Sequence, residues 1–218
     1  MTMNKMLFNR NFGMLDYAIQ GSKTQLRRFI RFKDYGSRVV RYTPLSSPKG
    51  KARFHLEDGR KFVDYEVLST YRVGEIVAIA QTYEEVKAYY ELHKDDSETY
   101  KMFVRTTNGK DSELFDKGKK DQFAVKPHLM PHHIRILSVK TERLQDITEE
   151  DCMAEGIQVD ESKTENKFYV EDKNTGCRCY FPTGREAYAY FASITFKNMR
   201  NAWALNPPVF VYTFETID

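Results

Sequence analysis

Lys23, Thr24, Arg27 and Arg28 fall together in the stretch GSKTQLRR, residues 21–28, directly after the apolar segment FGMLDYAIQ. Cations held beside free backbone amides attract phosphate, and an arginine can grip it through two parallel hydrogen bonds. Gly21 suits the backbone part of such a site, because a glycine just past a helix readily takes the left-handed conformation that ends it. The chemistry this group suggests is recognition of an anion.

Stepping outward, Met14, Leu15, Ala18 and Ile19 share one face of a helix within Asn11–Gln20, which Gly21 stops. From Thr24 to Phe32 the pattern alternates as in a strand, so Arg28 shares a face with Leu26 and Ile30 and not with Arg27. YTPLSSPKGK reads as a loop, and ARFHLEDGRKFVDYEVL as a hairpin about Asp58-Gly59. After a turn at Gly74, Ile76 to Ala80 suit a buried central strand. TTNGKDSELFDKGKKDQ reads as an exposed loop, and HHIRILSVKTERL as a strand with Ile134, Ile136 and Val139 inward. Thr148, followed by acids and closed by Gly156, specifies a short helix. NKFYVEDKNTGCRCYF is expected to turn near residues 174–176. Thr183 with Glu186 opens a helix whose apolar stripe includes Ala187, Tyr190, Phe191 and Ile194, and PPVFVYTFETI closes as a strand.

With 218 residues, 41% of them hydrophobic, the chain is long enough to bury a core. The net charge of +3 permits an acidic partner without demanding one. No stretch approaches a membrane span and MTMNKMLFNRNFG lacks the apolar core of a signal peptide, so a cytoplasmic protein is expected. Cys177-Arg178-Cys179 is spaced too tightly for an ordinary zinc pair, and the histidines of HLMPHH, His128, His132 and His133, have no second ligand pair at the required distance. No metal or cofactor is therefore expected. There is no GK[ST] phosphate loop, dinucleotide fingerprint, HExxH or GxSxG motif, which disfavours ATPase, dehydrogenase and zinc-protease readings.

AIQGSKTQLRR, YRVGEIVAIAQ and IRILSVKTERLQDITEEDCMAEGI, in this order and followed by a helix and VFVYTFETI, resemble the ASCH superfamily. The pattern is most similar to ASCH-like proteins of phage, prophage and Bacteroides-type genomes. The resemblance implies an α+β chain: a single ASCH/PUA-like domain over residues 1–218, a β-barrel with a few short helices, and inserted loops or hairpins at about 35–70, 83–126 and 157–181. It also implies a cleft at the GSKTQLRR junction for RNA or a nucleotide-like ligand, bordered by Gly21, Lys23, Arg27, Arg28 and Tyr71.

One branch that the chain is similar to, the bacterial 4-acetylcytidine amidohydrolases, uses a lysine, a threonine and a glutamate. Lys23 matches the lysine and Glu155 the glutamate, but Leu26 stands at the threonine position. Leucine can neither attack an amide carbon nor hold a water, so that triad does not carry over directly. Thr24 is the nearest hydroxyl. A lysine and a glutamate facing one cleft could still polarise a carbonyl and shuttle a proton. Three expectations therefore stand side by side: an RNA- or nucleotide-binding protein, an amidohydrolase acting on an acylated nucleoside or related small amide, and a phage or mobile-element accessory scaffold whose insertions bind another protein. The last would be favoured if Trp203 or Tyr71 filled the cleft.

Overall fold

A computed structural model describes residues 3–30, 38–45, 51–58, 61–93, 101, 125–196 and 201–218. They divide into two compact units. The first comprises Met1–Phe8, Ile76–Arg135 and Thr216–Asp218, and the second Asn9–Glu75 and Ile136–Glu215. No helix of the described residues is long and apolar enough to cross a membrane.

In the first unit, β1 (Asn4–Met6) pairs in parallel with β6 (Ile76–Ile79), and β6 pairs antiparallel with the start of β7 (His133–Arg143). Val77, Ala78 and Ile79 are fully buried, as their apolar run predicts, while Ile76 is exposed. A helix that the sequence reading passed over, α2 (Tyr83–Leu92), follows at once. It begins with a complete capping box: the Thr82 hydroxyl accepts from the Glu85 amide, and the Glu85 carboxylate accepts from the Thr82 amide. Val86 and Tyr90 of this helix pack with Ala78, Val125, Leu129 and Met130. The loop expected at residues 106–122 lies outside the described residues.

The second unit holds α1 (Met14–Ile19), β2 (Gln25–Phe29), the rest of β7, α3 (Glu149–Ala154), α4 (Gly184–Thr195), α5 (Ala202–Leu205) and β11 (Pro208–Thr216). Here β11 lies between β7 and β2, and its antiparallel register with β2 sets Val211 opposite Arg27 and Phe210 opposite Arg28. Two three-stranded sheets complete the unit: β3 (Arg38–Leu45), β4 (Lys51–Asp58) and β5 (Lys61–Leu68), and β8 (Gln158–Val159), β9 (Phe168–Asp172) and β10 (Cys177–Phe181). The hairpin forms as expected, but Asp58 pairs with Lys61 as the last residue of β4 and is not one of the two turn residues. Residues 42–45, read as loop from their proline, belong instead to β3. Pro44 is accommodated because β3 lies at the edge of its sheet, where a missing amide leaves no partner unbonded.

Among the described residues the closed β-barrel expected from the resemblance is not found. The described strands build open ladders in which β1 and β2 each have a single strand neighbour, together with two separate sheets. Closure requires tilted strands with a staggered register carried around the whole ring. The three residues of β1 and four of β6 provide few ladder positions for it. The architecture is thus mixed α/β with several sheets and few helices.

The helix signals were sound. Gly21 has φ +74° and Gly156 φ +102°, both left-handed as a helix stop requires. Thr148 and Thr183 cap α3 and α4 through the amides of Asp151 and Glu186. The buried stripe of α4 is Gly184, Ala187, Tyr188, Phe191 and Ala192: Ala187 and Phe191 are buried as expected, while Tyr190 is exposed and Ile194 only partly buried.

Candidate functional site

Strand β2 divides the candidate residues between its two faces. Lys23 precedes the strand and shares a side with Gln25 and Arg27, as alternation dictates. The amide of Thr24 donates to the carbonyl of Ala154 at 2.9 Å, and its carbonyl accepts from the amide of Phe214 at 2.9 Å. Those bonds fix the start of β2 against the end of α3, which is where Glu155 stands.

Lys23 and Glu155 meet directly, each only 1% exposed. The ammonium donates to the Glu155 carboxylate at 2.7 Å and to its main-chain carbonyl at 2.5 Å. Burial lowers the Lys23 pKa below its ordinary value, the Glu155 carboxylate opposes that shift, and the Arg27 charge adds to it. Of the three donors of the ammonium, Glu155 takes two.

Arg27 is clamped among three carboxylates. Its Nε and Nη2 donate to one oxygen of Glu142 at 2.8 and 2.6 Å, Nη2 also to Asp151 at 2.8 Å, and Nη1 to Glu155 at 3.1 Å. Gln25 bridges the group: its amide oxygen accepts from Arg27 at 3.1 Å and its amide nitrogen donates to Asp151 at 2.6 Å. Lys140, half exposed, lies 2.9 Å from Glu142 at the rim. Burial works against the Arg27 charge, but the surrounding acids, Glu155 foremost, raise its pKa. For Asp151, burial alone would raise the pKa; the Gln25 hydrogen bond and the charges of Arg27 and Lys140 outweigh it and leave the carboxyl below its ordinary value. Tyr188 of α4 covers the cluster, its phenol pushed well above the ordinary range by burial and then by Glu155. The Trp203 ring meets Tyr188 edge-on at 6.3 Å between centroids.

The opposite face carries Arg28, Leu26 and Tyr71. The Arg28 guanidinium sits 5.4 Å from the centre of the Tyr71 ring, which in turn packs edge-on against Tyr212 at 5.2 Å. Tyr71 is 2% exposed, and the hydroxyls of Ser69 and Tyr212 share a hydrogen bond of 2.9 Å. Thr24 begins the alternation on this side, with Leu26 and Arg28, away from the Lys23–Glu155 pair. Gly21 is exposed, and its amide donates to Ala18 at 3.2 Å.

The expected site residues are thus brought together only in part: Lys23, Arg27 and Glu155 form one cluster, and Arg28 and Tyr71 another. Gln25, Glu142, Asp151 and Tyr188 were not anticipated. Glu142 carried no strand signal, because Ser138 and Lys140, which stand at the same alternation between Ile136 and Glu142, are exposed.

In the first unit, the Nδ1 of His133 lies 2.5 Å from the Asp218 carboxylate, and His132 meets the Tyr89 ring edge-on at 5.0 Å. Among the described residues no group of three or more His, Cys, Asp or Glu is placed to hold a metal ion. Compared with protein-family models, curated proteins and solved structures, the chain has no match in any of the three.

Proposed function

We propose that this chain hydrolyses a small amide, with an acylated nucleoside as the substrate class that the ASCH resemblance implies, and that Lys23 and Glu155 carry the chemistry. The observation behind this reading is the Lys23 ammonium: buried, lowered in pKa, paired with a carboxylate at 2.7 Å, and with one of its donors not spent on Glu155. That donor polarises the amide carbonyl. Glu155 takes a proton from an attacking water and returns it to the departing amine, so the C–N bond breaks to give a carboxylic acid and an amine. Water is the nucleophile because Leu26 has no hydroxyl and Thr24 lies on the other side of the strand. With both groups 1% exposed, entry of substrate requires their cover to shift.

The test is turnover on a panel of N-acylated nucleosides by the wild type and by Lys23→Met, with circular dichroism showing that both are folded. Loss of turnover in the variant is expected. A wild type inactive on the whole panel, or a fully active variant, refutes the reading.

Binding of RNA or a nucleotide is a second reading, favoured by Arg28 over the Tyr71 ring. Arg27, held by carboxylates, is a poor phosphate ligand, so this reading narrows to Arg28. It predicts oligonucleotide binding that weakens with salt and is lost in Arg28→Gln. Absence of binding would leave the accessory-scaffold reading, with which the inward packing of Tyr71 and the contact of Trp203 with Tyr188 agree.

A further inference from the structure

Cys177 and Cys179 stand two residues apart on β10, an edge strand of its sheet, and the chemistry at Lys23 makes no use of them. Such spacing on a strand puts both on one face. Their neighbours agree: Arg178 turns the other way, with its guanidinium 4.9 Å from the Tyr169 ring, while the Cys179 sulfur lies 3.5 Å from the Tyr190 hydroxyl of α4. Phe181, next on the cysteine face, has its ring 5.2 Å from that of Tyr190. Cys177 is exposed and Cys179 partly so. Cys152 is different, buried and with its thiol pushed up to about 12 by burial and by Glu149.

We propose that Cys177 and Cys179 form a two-thiolate site for a soft monovalent cation of the copper(I) class. Geometry disfavours the commoner uses of paired cysteines. A strand rise of about 3.3 Å per residue sets the two Cα atoms roughly 6.6 Å apart. That is the far end of the range a disulfide spans, and a sulfur–sulfur bond of about 2.05 Å would draw the strand in. A metal ion placed between the two sulfurs needs no sulfur–sulfur bond, so the extended strand need not draw in. Zinc would need four ligands, and among the described residues no third donor completes a group with this pair. A soft ion satisfied by two thiolates fits the donor set. Each thiol gives up its proton on binding, so uptake of one copper(I) releases two protons. The Phe181 and Tyr190 rings lie beside Cys179 on the same face, while Cys177 stays open to solvent for metal entry.

Anaerobic titration of the reduced chain with copper(I), against bicinchoninate as competing chelator, tests this. The wild type should take one copper(I) per chain with release of two protons. Cys177→Ser and Cys179→Ser should each weaken binding by more than about tenfold, and the double variant, checked for an unchanged melting temperature, should bind none. Copper retained by the folded double variant, or a wild type that takes none from the chelator, overturns the proposal.

Discussion

At the scale of single residues, the two members of the buried pair are not equivalent. Glu155 is held by Lys23 and Arg27 together, whereas among the described residues Glu155 is the one carboxylate paired with Lys23. Glu155→Gln leaves the Lys23 charge buried without a counter-charge, and should lower stability by about 3–5 kcal/mol. Lys23→Met leaves Glu155 its bond to Arg27 and should cost less; denaturant unfolding of the two variants checks the order. The pKa of Lys23 also fixes a sign. A lysine whose folded pKa lies below 10.5 binds fewer protons folded than unfolded between the two values, so its contribution to stability rises with pH through that interval. Lys23→Met should remove this rise, measurable as a flatter alkaline limb. How much of the cluster was legible follows from the same residues. Lys23 and Glu155 could be paired only through the resemblance, since 132 positions separate them, and the clamp on Arg27 joins it to Glu142 of β7 and Glu155 at the end of α3, 115 and 128 residues away, with no local pattern to announce them.

Elements were legible wherever the signal was local. Thr148, Thr183, Gly21 and Gly156 mark helix ends because caps and left-handed stops act on neighbouring amides and carbonyls. By the same rule, Thr82 with Glu85 announced α2, and the polar, charged character of the segment masked it. Strand β3 was misread at Pro44 because a proline excludes only a central ladder position, and whether a strand is central is settled by its partners. Barrel closure was illegible for a related reason: it depends on register around a ring, which no local run of residues specifies. Two helices of the second unit are also joined by a cap. The Glu149 carboxylate in the first turn of α3 accepts from the amides of Gly184 and Arg185 at 2.7 and 3.3 Å, at the start of α4. Thr183→Ala should therefore cost about 1 kcal/mol by loss of its own cap. Glu149→Ala should add to it less than its separate effect, because both serve the same helix end; a double-mutant cycle in thermal or chemical unfolding measures that coupling.

At the scale of the whole chain, the two compact units respond differently to acid. In the first, burial holds His132 below its ordinary value of 6.5, with the charges of His133 and His93 adding to the shift and Asp218 opposing it. Its unfolded form takes up protons first, so stability is lost as pH falls below about 6.5. In the second, the Asp151 carboxyl lies below its ordinary 3.8; its stabilisation is complete above that value and is lost only as pH falls through the lower folded one. Hydrogen exchange across a pH series should show protection of the first unit falling before that of the second. The single tryptophan, Trp203, provides a fluorescence report on the second unit alone. The pairing of β2 with β11 has a further consequence in time. Phe29 meets Val209, so at a synthesis rate of roughly 5–20 residues per second β2 leaves the ribosome on the order of 10 to 40 seconds before its ladder partner exists. Through that interval the Lys23 and Arg27 strand lacks this neighbour, so their full burial waits until β11 has been made. Nascent chains halted before β11 should be cut within residues 21–30 by a protease that leaves the finished protein intact there.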